Sequence, residues 1–299
     1  MAYLEHILQR TRAFIDSKPK SERKAYGQFF TMGTGAQFMS SLFNIDQNKH
    51  SLSILDAGAG TGILTAALVD YLVACGFKGE INVTCYENDS NVLPVLRSNL
   101  EDISAHVPNF SFRVIADNFI TSQPFGGFFQ QDASYDLVIG NPPYKKIPAD
   151  SPEAIHMKEV CYGAPNLYFL FMAMSVQQLK DDGQLVYIIP RSWTSGAYFE
   201  CFRKWLFART VIEHIHLFGS RDKVFNGESV LQETMIIKVR KTRQKPEDIK
   251  MTFSETSDFT NVSAIAVPYD TVVAKNSYVY LVTNQKEIEC LNSLKSLHS

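Results

Sequence analysis

The chain has 299 residues, 45% of them hydrophobic and 20% charged, with a net charge of −2. This is ordinary globular composition with enough apolar residues for a sizeable core, and it excludes disorder, collagen and coiled coil as descriptions of the whole. No apolar run approaches the roughly 18 residues that cross a bilayer, and the opening MAYLEHILQRTRAF has charges scattered where a signal peptide has an apolar core. Five cysteines (Cys75, Cys85, Cys161, Cys201, Cys290) form no CxxC pair and are odd in number. They argue against a disulfide framework and a cysteine-rich zinc site, so no metal is expected and a reducing cytoplasm fits. Residues 1–140 hold 10 Lys+Arg against 14 Asp+Glu, and the remainder 19 against 17, a slight basic excess compatible with a nucleic-acid face.

In chain order, Ser51–Asp56 reads as a short apolar strand ending in a turn signal. Thr61–Cys75 places Ile63, Leu64, Ala67, Leu68, Tyr71 and Leu72 at helical spacing. Ile81–Tyr86 is β-rich, Ser90–Leu100 helical, Phe110–Ala116 a strand and Tyr135–Gly140 another. Asn166–Lys180 reads as a buried helix, Gln184–Pro190 as a buried strand and Ala197–Phe207 as a helix. Val211–Phe218 and Thr234–Val239 are β-rich and close enough to pair. Strands separated by helices imply βαβ units and a parallel sheet covered on both faces, with the last two strands an antiparallel pair at its end. Arg240–Lys250 is charged and expected to be exposed, 251–283 is expected to be irregular β structure, and Lys286–Leu297 a short helix or the start of a linker.

Asp56-Ala57-Gly58-Ala59-Gly60-Thr61-Gly62 lies between a predicted strand and a predicted helix. Glycines there let the backbone turn sharply and let a ligand approach it, at the carboxyl ends of strands where α/β sheets bind ligands. The pattern is GxGxG, neither the dinucleotide GxGxxG nor a P-loop. Glu87, with Asn88 beside it, closes the second strand, where an acid can accept both ribose hydroxyls of an adenosine. Together they point to a nucleoside-type cofactor.

Asn141-Pro142-Pro143-Tyr144 follows the strand Tyr135–Gly140. Two prolines fix φ and leave carbonyls as acceptors. Asn141 adds a side-chain carbonyl, so the pair suits a planar NH₂ group with two hydrogens to donate. Tyr144 offers a face on which a planar ring can stack.

On these residues the chain resembles S-adenosylmethionine-dependent methyltransferases acting on exocyclic amines. It is most similar to the N6-adenine DNA methyltransferases of restriction–modification systems, in the TaqI, PstI and BsuBI group. The resemblance runs from about Tyr26 to Arg240. It implies a Rossmann-like fold with a mostly parallel seven-stranded sheet and an antiparallel pair at one edge. It implies S-adenosyl-L-methionine as cofactor, held by Phe30 and Thr31 of Gly27-Gln28-Phe29-Phe30-Thr31, the turn Asp56, Ala57, Gly58 and Gly60, Glu87 and Asn88, Asp117 and Phe119, with Asn141 beside it. Asn118 intervenes before Phe119, a departure from the family's usual acid–aromatic order that leaves either of the two as the residue against the cofactor's adenine ring. Asn141, Pro142, Pro143 and Tyr144 become the catalytic residues, and Phe225 joins Tyr144 in sandwiching a flipped-out adenine. Lys145, Lys146, Arg191, Arg221 and Lys223 become candidate phosphate contacts.

The resemblance also implies double-stranded DNA as partner, functional pairing with a restriction endonuclease, and a cytoplasmic, nucleoid-associated location in a prokaryote. Residues 1–48 are then a helical segment with a cofactor motif and 49–240 the catalytic domain. Residues 241–299 become a β-rich extension and linker towards a target-recognition domain or subunit. Protein glutamine N5-methyltransferases also use NPPY but lack the GQFFT segment. An RNA N-methyltransferase and a catalytically silent DNA-binding subunit compete with this reading, and the intact NPPY argues against silence.

Overall fold

Central strands buried at nearly every position, with apolar helices between them, produce one continuous sheet covered by helices on both faces. The computed structural model describes residues 2–17, 19, 33–126, 133–219, 234–256 and 258–297. Phe30, Thr31, Arg221, Lys223 and Phe225 lie outside the described residues. The elements are α1 (Ala2–Asp16), α2 (Gly33–Ser41), β1 (Ser51–Ala57), α3 (Ile63–Ala74), β2 (Glu80–Tyr86), α4 (Leu93–His106), β3 (Phe110–Ile115) and β4 (Tyr135–Gly140). They continue with α5 (Pro152–His156), α6 (Leu167–Gln178), β5 (Leu179–Pro190), two 3₁₀ turns (Arg191–Thr194, Ala197–Phe199), α7 (Glu200–Phe207) and β6 (Val211–Phe218). Last come β7 (Thr234–Arg240), β8 (Asp248–Ser254), β9 (Val262–Pro268), α8 (Tyr269–Val272) and α9 (Gln285–Leu297).

The strand order is β3-β2-β1-β4-β5-β7-β6-β8-β9. β1 to β5 run parallel, and β7 is reversed between β5 and β6. Alternation along β5 shows how two cores arise: Leu185, Tyr187 and Ile189 join the face covered by α6 and α7, while Val186 and Ile188 join the face covered by α1 to α4. α3 is apolar on nearly every side because it is enclosed by sheet and helices. The side chain of its Asp70 accepts the Leu4 N–H at 3.2 Å, satisfying one of the donors that a helix N-terminus leaves unpaired. The order reverses between β1 and β4, the switch point at which such sheets bind ligands.

The expectation of seven strands is short by two, and the reversed strand lies inside the sheet, not at its edge. β8 pairs parallel with β6, and β9 antiparallel with β8. The sequence hid β8 because its buried positions include Thr252 and Ser254, and β9 because it lies at the edge of the sheet, exposed along most of its length. Ser254 Oγ donates to the Thr256 carbonyl at 2.8 Å, so it accepts the His216 Nε2–H at 3.1 Å. His216 Nδ1 then accepts the Thr252 hydroxyl at 2.9 Å, and Thr252 accepts the His214 Nε2–H at 2.8 Å. Burial pushes the two imidazoles down to about 4 (His214) and about 3 (His216), so both are neutral and the chain of donors is consistent. Phe38 of α2 packs on His216 at 4.6 Å and on Phe259 at 4.4 Å.

Other boundaries moved for local reasons. Asn166 is the N-cap of α6, its side chain accepting the Tyr168 N–H at 3.3 Å. β5 begins at Leu179, because a register shift between Tyr135 and Leu137 and the positive φ of Asp182 (61°) carry a bulge before Gln184. The charged stretch 240–250 includes the end of β7 and the start of β8, with Ile249 buried. Among the described residues no helix is long and apolar enough to cross a membrane.

Candidate functional site

The glycine turn is built by β1 and β2 together. Ala57 pairs with Tyr86, and the Tyr86 carbonyl then accepts the N–H groups of both Gly58 and Ala59 at 2.9 Å. To make this turn the backbone passes through positive φ at Gly58 (74°), Gly60 (56°) and Gly62 (87°), a region that side chains with a Cβ rarely enter. The Gly60 N–H reaches Glu87 Oε2 at 2.8 Å, while Glu87 Oε1 accepts the N–H groups of Asn88 and Asp89 at 2.9 Å. A carboxylate has about four lone-pair positions, and three are taken. The sequence expectation that Glu87 receives two ribose hydroxyls is thereby narrowed: one position remains while the turn is held. Burial raises the Glu87 carboxyl above its ordinary value, opposed by these three donors.

Asp56 is fully buried at the end of β1. Its Oδ2 accepts the Thr65 hydroxyl at 2.7 Å, but Oδ1 is buried with no partner. Burial pushes this carboxyl up to about 7.

At the end of β3, Asp117 is exposed and accepts the Asn118 N–H at 2.7 Å. Both polar atoms of the Asn118 side chain are engaged locally. Its Oδ1 receives the N–H groups of Ile120 (3.0 Å) and Thr121 (3.3 Å), and its Nδ2 donates to Glu153 Oε1 at 2.7 Å. Phe119 is only 2% exposed, packed on Tyr86 at 5.0 Å and Phe171 at 5.4 Å. Phe171, half-buried on α6, comes within 3.5 Å of the place a Cβ on Gly58 would occupy. It borders the glycine turn, whereas Phe119 supports it from below. Sequence reading missed Phe171 because it sits in an otherwise buried apolar helix, where nothing distinguishes it from core.

Asp56 pairs with Ile139, so the turn after β1 and the Asn141 segment after β4 leave adjacent strands at the same edge. Gly140 precedes Asn141 because a Cβ there would lie 2.6 Å from the Tyr187 ring. Pro142 is buried, while Asn141, Pro143 and Tyr144 are half-buried. The Tyr144 hydroxyl lies 2.9 Å from Asn141 Oδ1 and 2.9 Å from the Ile188 carbonyl, and its single proton serves one at a time. Its ring meets Tyr168 edge-on at 6.3 Å. Burial raises the phenol well above its ordinary value, so it is a donor and not a base at neutral pH. The fold thus gathers Asp56–Gly60, Glu87, Asn88, Asp117 and Asn141–Tyr144 at the carboxyl ends of four neighbouring strands.

Residues 65–225 match the Eco57I restriction-modification methylase family. The chain belongs to that family. It is 33% identical over 296 residues to the type II methyltransferase M.BsuBI of Bacillus subtilis, an alignment covering 96% of this chain and 58% of that protein. It is 33% identical over 283 residues to the type II methyltransferase M.PstI of Providencia stuartii, covering 92% and 55% respectively. The chain therefore spans little more than half the length of these relatives. Among solved structures, a protein of Listeria monocytogenes assigned to the class I S-adenosylmethionine-dependent methyltransferases superposes with a TM-score of 0.60 at 19% identity, covering 78% of this chain and 67% of that one. The type I restriction-modification methyltransferase subunit of Streptococcus thermophilus superposes at 0.59 with 20% identity, covering 90% and 53%. The fold of this family member is the class I methyltransferase fold.

Proposed function

We propose that this chain is the catalytic part of a restriction–modification DNA methyltransferase, which transfers a methyl group from S-adenosyl-L-methionine to N6 of an adenine flipped out of duplex DNA. The observation that carries the reading is the Asn141-Pro142-Pro143-Tyr144 segment beside the glycine turn, in a chain 33% identical to M.BsuBI and M.PstI. Target choice is assigned to a recognition segment or subunit outside this chain, because those relatives are much longer. Its setting is the cytoplasm and nucleoid of a prokaryote, paired with a restriction endonuclease.

The residues fit the cofactor. Asp56 offers a buried oxygen without a partner, suited to an N–H or cationic group. Glu87 keeps one acceptor position for a ribose hydroxyl, Asp117 is accessible to an adenine amino group, and Phe171 lies against Gly58 as an apolar wall. When bound, S-adenosylmethionine supplies an electrophilic methyl group on a positively charged sulfur. Everything else falls to the chain. Asn141 Oδ1, 2.9 Å from the Tyr144 hydroxyl, is the acceptor for one N6 hydrogen. The Pro142 carbonyl takes the other hydrogen. Drawing both hydrogens to one side turns the nitrogen lone pair out of the ring plane and towards the methyl group, so positioning carries the rate. Neither carbonyl accepts the surplus proton, which passes to water after transfer. Tyr144 stacks on the base, recovering part of the few kcal/mol that unstacking costs.

Two expectations concern the cofactor. Glu87→Ala should weaken its binding by about 1.5–3 kcal/mol through loss of a charged acceptor. It should also lower the melting temperature, because three N–H groups lose their partner. Calorimetry showing unchanged affinity would refute the ribose assignment. The second concerns pH. Asp56 titrates at about 7, and a cationic ligand beside it favours the ionised form, so binding should release a proton and affinity should rise as pH increases through 7. Titrations at pH 6 and pH 8 in buffers of different ionisation enthalpy measure this. The Asp56-dependent part should vanish in Asp56→Asn, and an identical pH profile in that variant would contradict the assignment.

The reading as a whole is tested by offering labelled S-adenosylmethionine with unmodified genomic DNA, RNA and a release-factor protein. Label in DNA is expected; label in the release factor would instead favour a glutamine methyltransferase.

A further inference from the structure

Directly after Tyr144 the chain makes an excursion, residues 145–167, that returns to begin α6. Its neck is closed by a bridge between Lys146 and Asn166, with the Ile147 N–H on the Pro165 carbonyl and the Leu167 N–H on the Lys145 carbonyl, both at 2.8 Å. Ala154, Met157 and Val160 are buried in the core, so the excursion is fixed to the body. Polar bonds fix it further: Glu153 accepts from Asn118 at 2.7 Å, His156 Nε2 donates to the Gln123 carbonyl at 2.6 Å, and the Tyr198 hydroxyl donates to the Ala164 carbonyl.

Against this anchoring, the same segment presents two large apolar side chains to solvent: Ile155 is 60% exposed and Tyr162 71% exposed. Scattered exposed apolar residues need no explanation. Two on one rigid excursion, whose neck is one residue from Tyr144, are a different case. The charges on the segment decide what would cover them. Glu159 lies 3.8 Å from Arg209, while Asp150 and Glu153 keep their charge, the latter hydrogen-bonded by the neutral Asn118 amide on the side facing the body. Lys145, Lys146 and Lys158 are exposed and meet no carboxylate among the described residues. An apolar pair on a segment with three exposed cations, none held in an ion pair among the described residues, suits a polyanion with stackable rings.

We infer that the 145–167 excursion is a DNA-contacting platform, in which Tyr162 and Ile155 pack against the duplex flanking the flipped adenine while Lys145, Lys146 and Lys158 neutralise phosphates. This rests on the proposed function. Because the platform is held by core residues and by the segment that follows β3, it is ordered before DNA arrives, so binding carries little further ordering cost.

The test uses the full chain and unmodified genomic DNA. Wild type, Tyr162→Ala combined with Ile155→Ser, and the triple variant Lys145→Ala, Lys146→Ala, Lys158→Ala are compared in methyl transfer and in DNA binding across salt concentrations. Cofactor affinity by calorimetry reports whether each variant is folded, and should change less than about twofold, since none of these side chains touches the glycine turn. The apolar double variant should raise KM for DNA about tenfold or more, the size expected when an aromatic side chain no longer stacks on a base. The lysine variant should reduce the slope of log affinity against log salt by about 2–3, near one for each phosphate left without its lysine. If wild type methylates DNA and both variants keep its KM and salt slope, the platform is refuted and the function stands. Variants that change only the protein's association state or melting temperature also refute it, marking a face covered by protein. Wild type that methylates no DNA overturns the reading of function on which the platform rests.

Discussion

Asn141→Ala is expected to reduce methyl transfer at least about a hundredfold while leaving cofactor affinity within a few-fold of wild type. The magnitude follows from comparable sites, in which removing one acceptor or donor that acts on the reacting group costs about 10²–10³ in rate. The separation of the two effects follows from position. Asn141 stands at the end of β4, whereas the groups suited to the cofactor are distributed over β1, β2 and β3. The Pro142 carbonyl cannot compensate, because one acceptor leaves the second N6 hydrogen in the ring plane and the nitrogen lone pair delocalised. Single-turnover transfer to DNA, with calorimetry for the cofactor, gives both quantities. A variant that loses cofactor binding in proportion to rate would place Asn141 on the cofactor instead.

Tyr144→Ala is expected to cost about tenfold to several hundredfold in transfer, through loss of a stacking face worth about 1–3 kcal/mol together with the hydroxyl contact. The informative comparison is Tyr144→Phe. Sequence reasoning treats the ring as sufficient, because stacking needs no hydroxyl, and expects Phe to retain much of the activity. The structure qualifies that expectation: the hydroxyl lies 2.9 Å from Asn141 Oδ1 and so fixes the amide that must receive the substrate. Loss of one such hydrogen bond costs about 0.5–1.5 kcal/mol, so Phe should retain transfer at roughly two- to tenfold below wild type. The loss should appear in the rate of the bound complex and not in DNA affinity, since stacking is intact. Activity equal to wild type would show that the hydroxyl serves Ile188 alone, and activity as low as that of Ala would make the hydroxyl the larger contribution.

What could be read from the sequence divides by the physics of each feature. β1, β2, β4 and the helices between them were legible because enclosed parallel strands read as short apolar runs and their covering helices as longer ones, with glycine turns between them. Asn141-Pro142-Pro143-Tyr144 was legible because two prolines after a buried strand constrain the backbone so strongly. β8 was not, because Thr252, Ser254 and their partners His214 and His216 place polar groups in buried register, and satisfied hydrogen bonds replace apolar contact there; β9 was not, because it is an edge strand with Val267 its one buried residue. The orphaned oxygen of Asp56 and the three N–H donors already held by Glu87 are properties of packing, invisible in a string of residues. Asn118 shows the same limit: its neighbourhood in sequence suggests a cofactor contact, while its side chain is spent on Ile120, Thr121 and Glu153.

The central claim is that the acceptor pair at Asn141 and Pro142 acts on the exocyclic amine of adenine in DNA. The most direct measurement is mass spectrometry of nucleosides released from DNA after incubation with the chain and S-adenosylmethionine, with Asn141→Ala in parallel. N6-methyladenine is expected in the wild-type digest, and its loss in the variant. A methylated base other than N6-methyladenine, or equal N6-methyladenine from the variant, would contradict it.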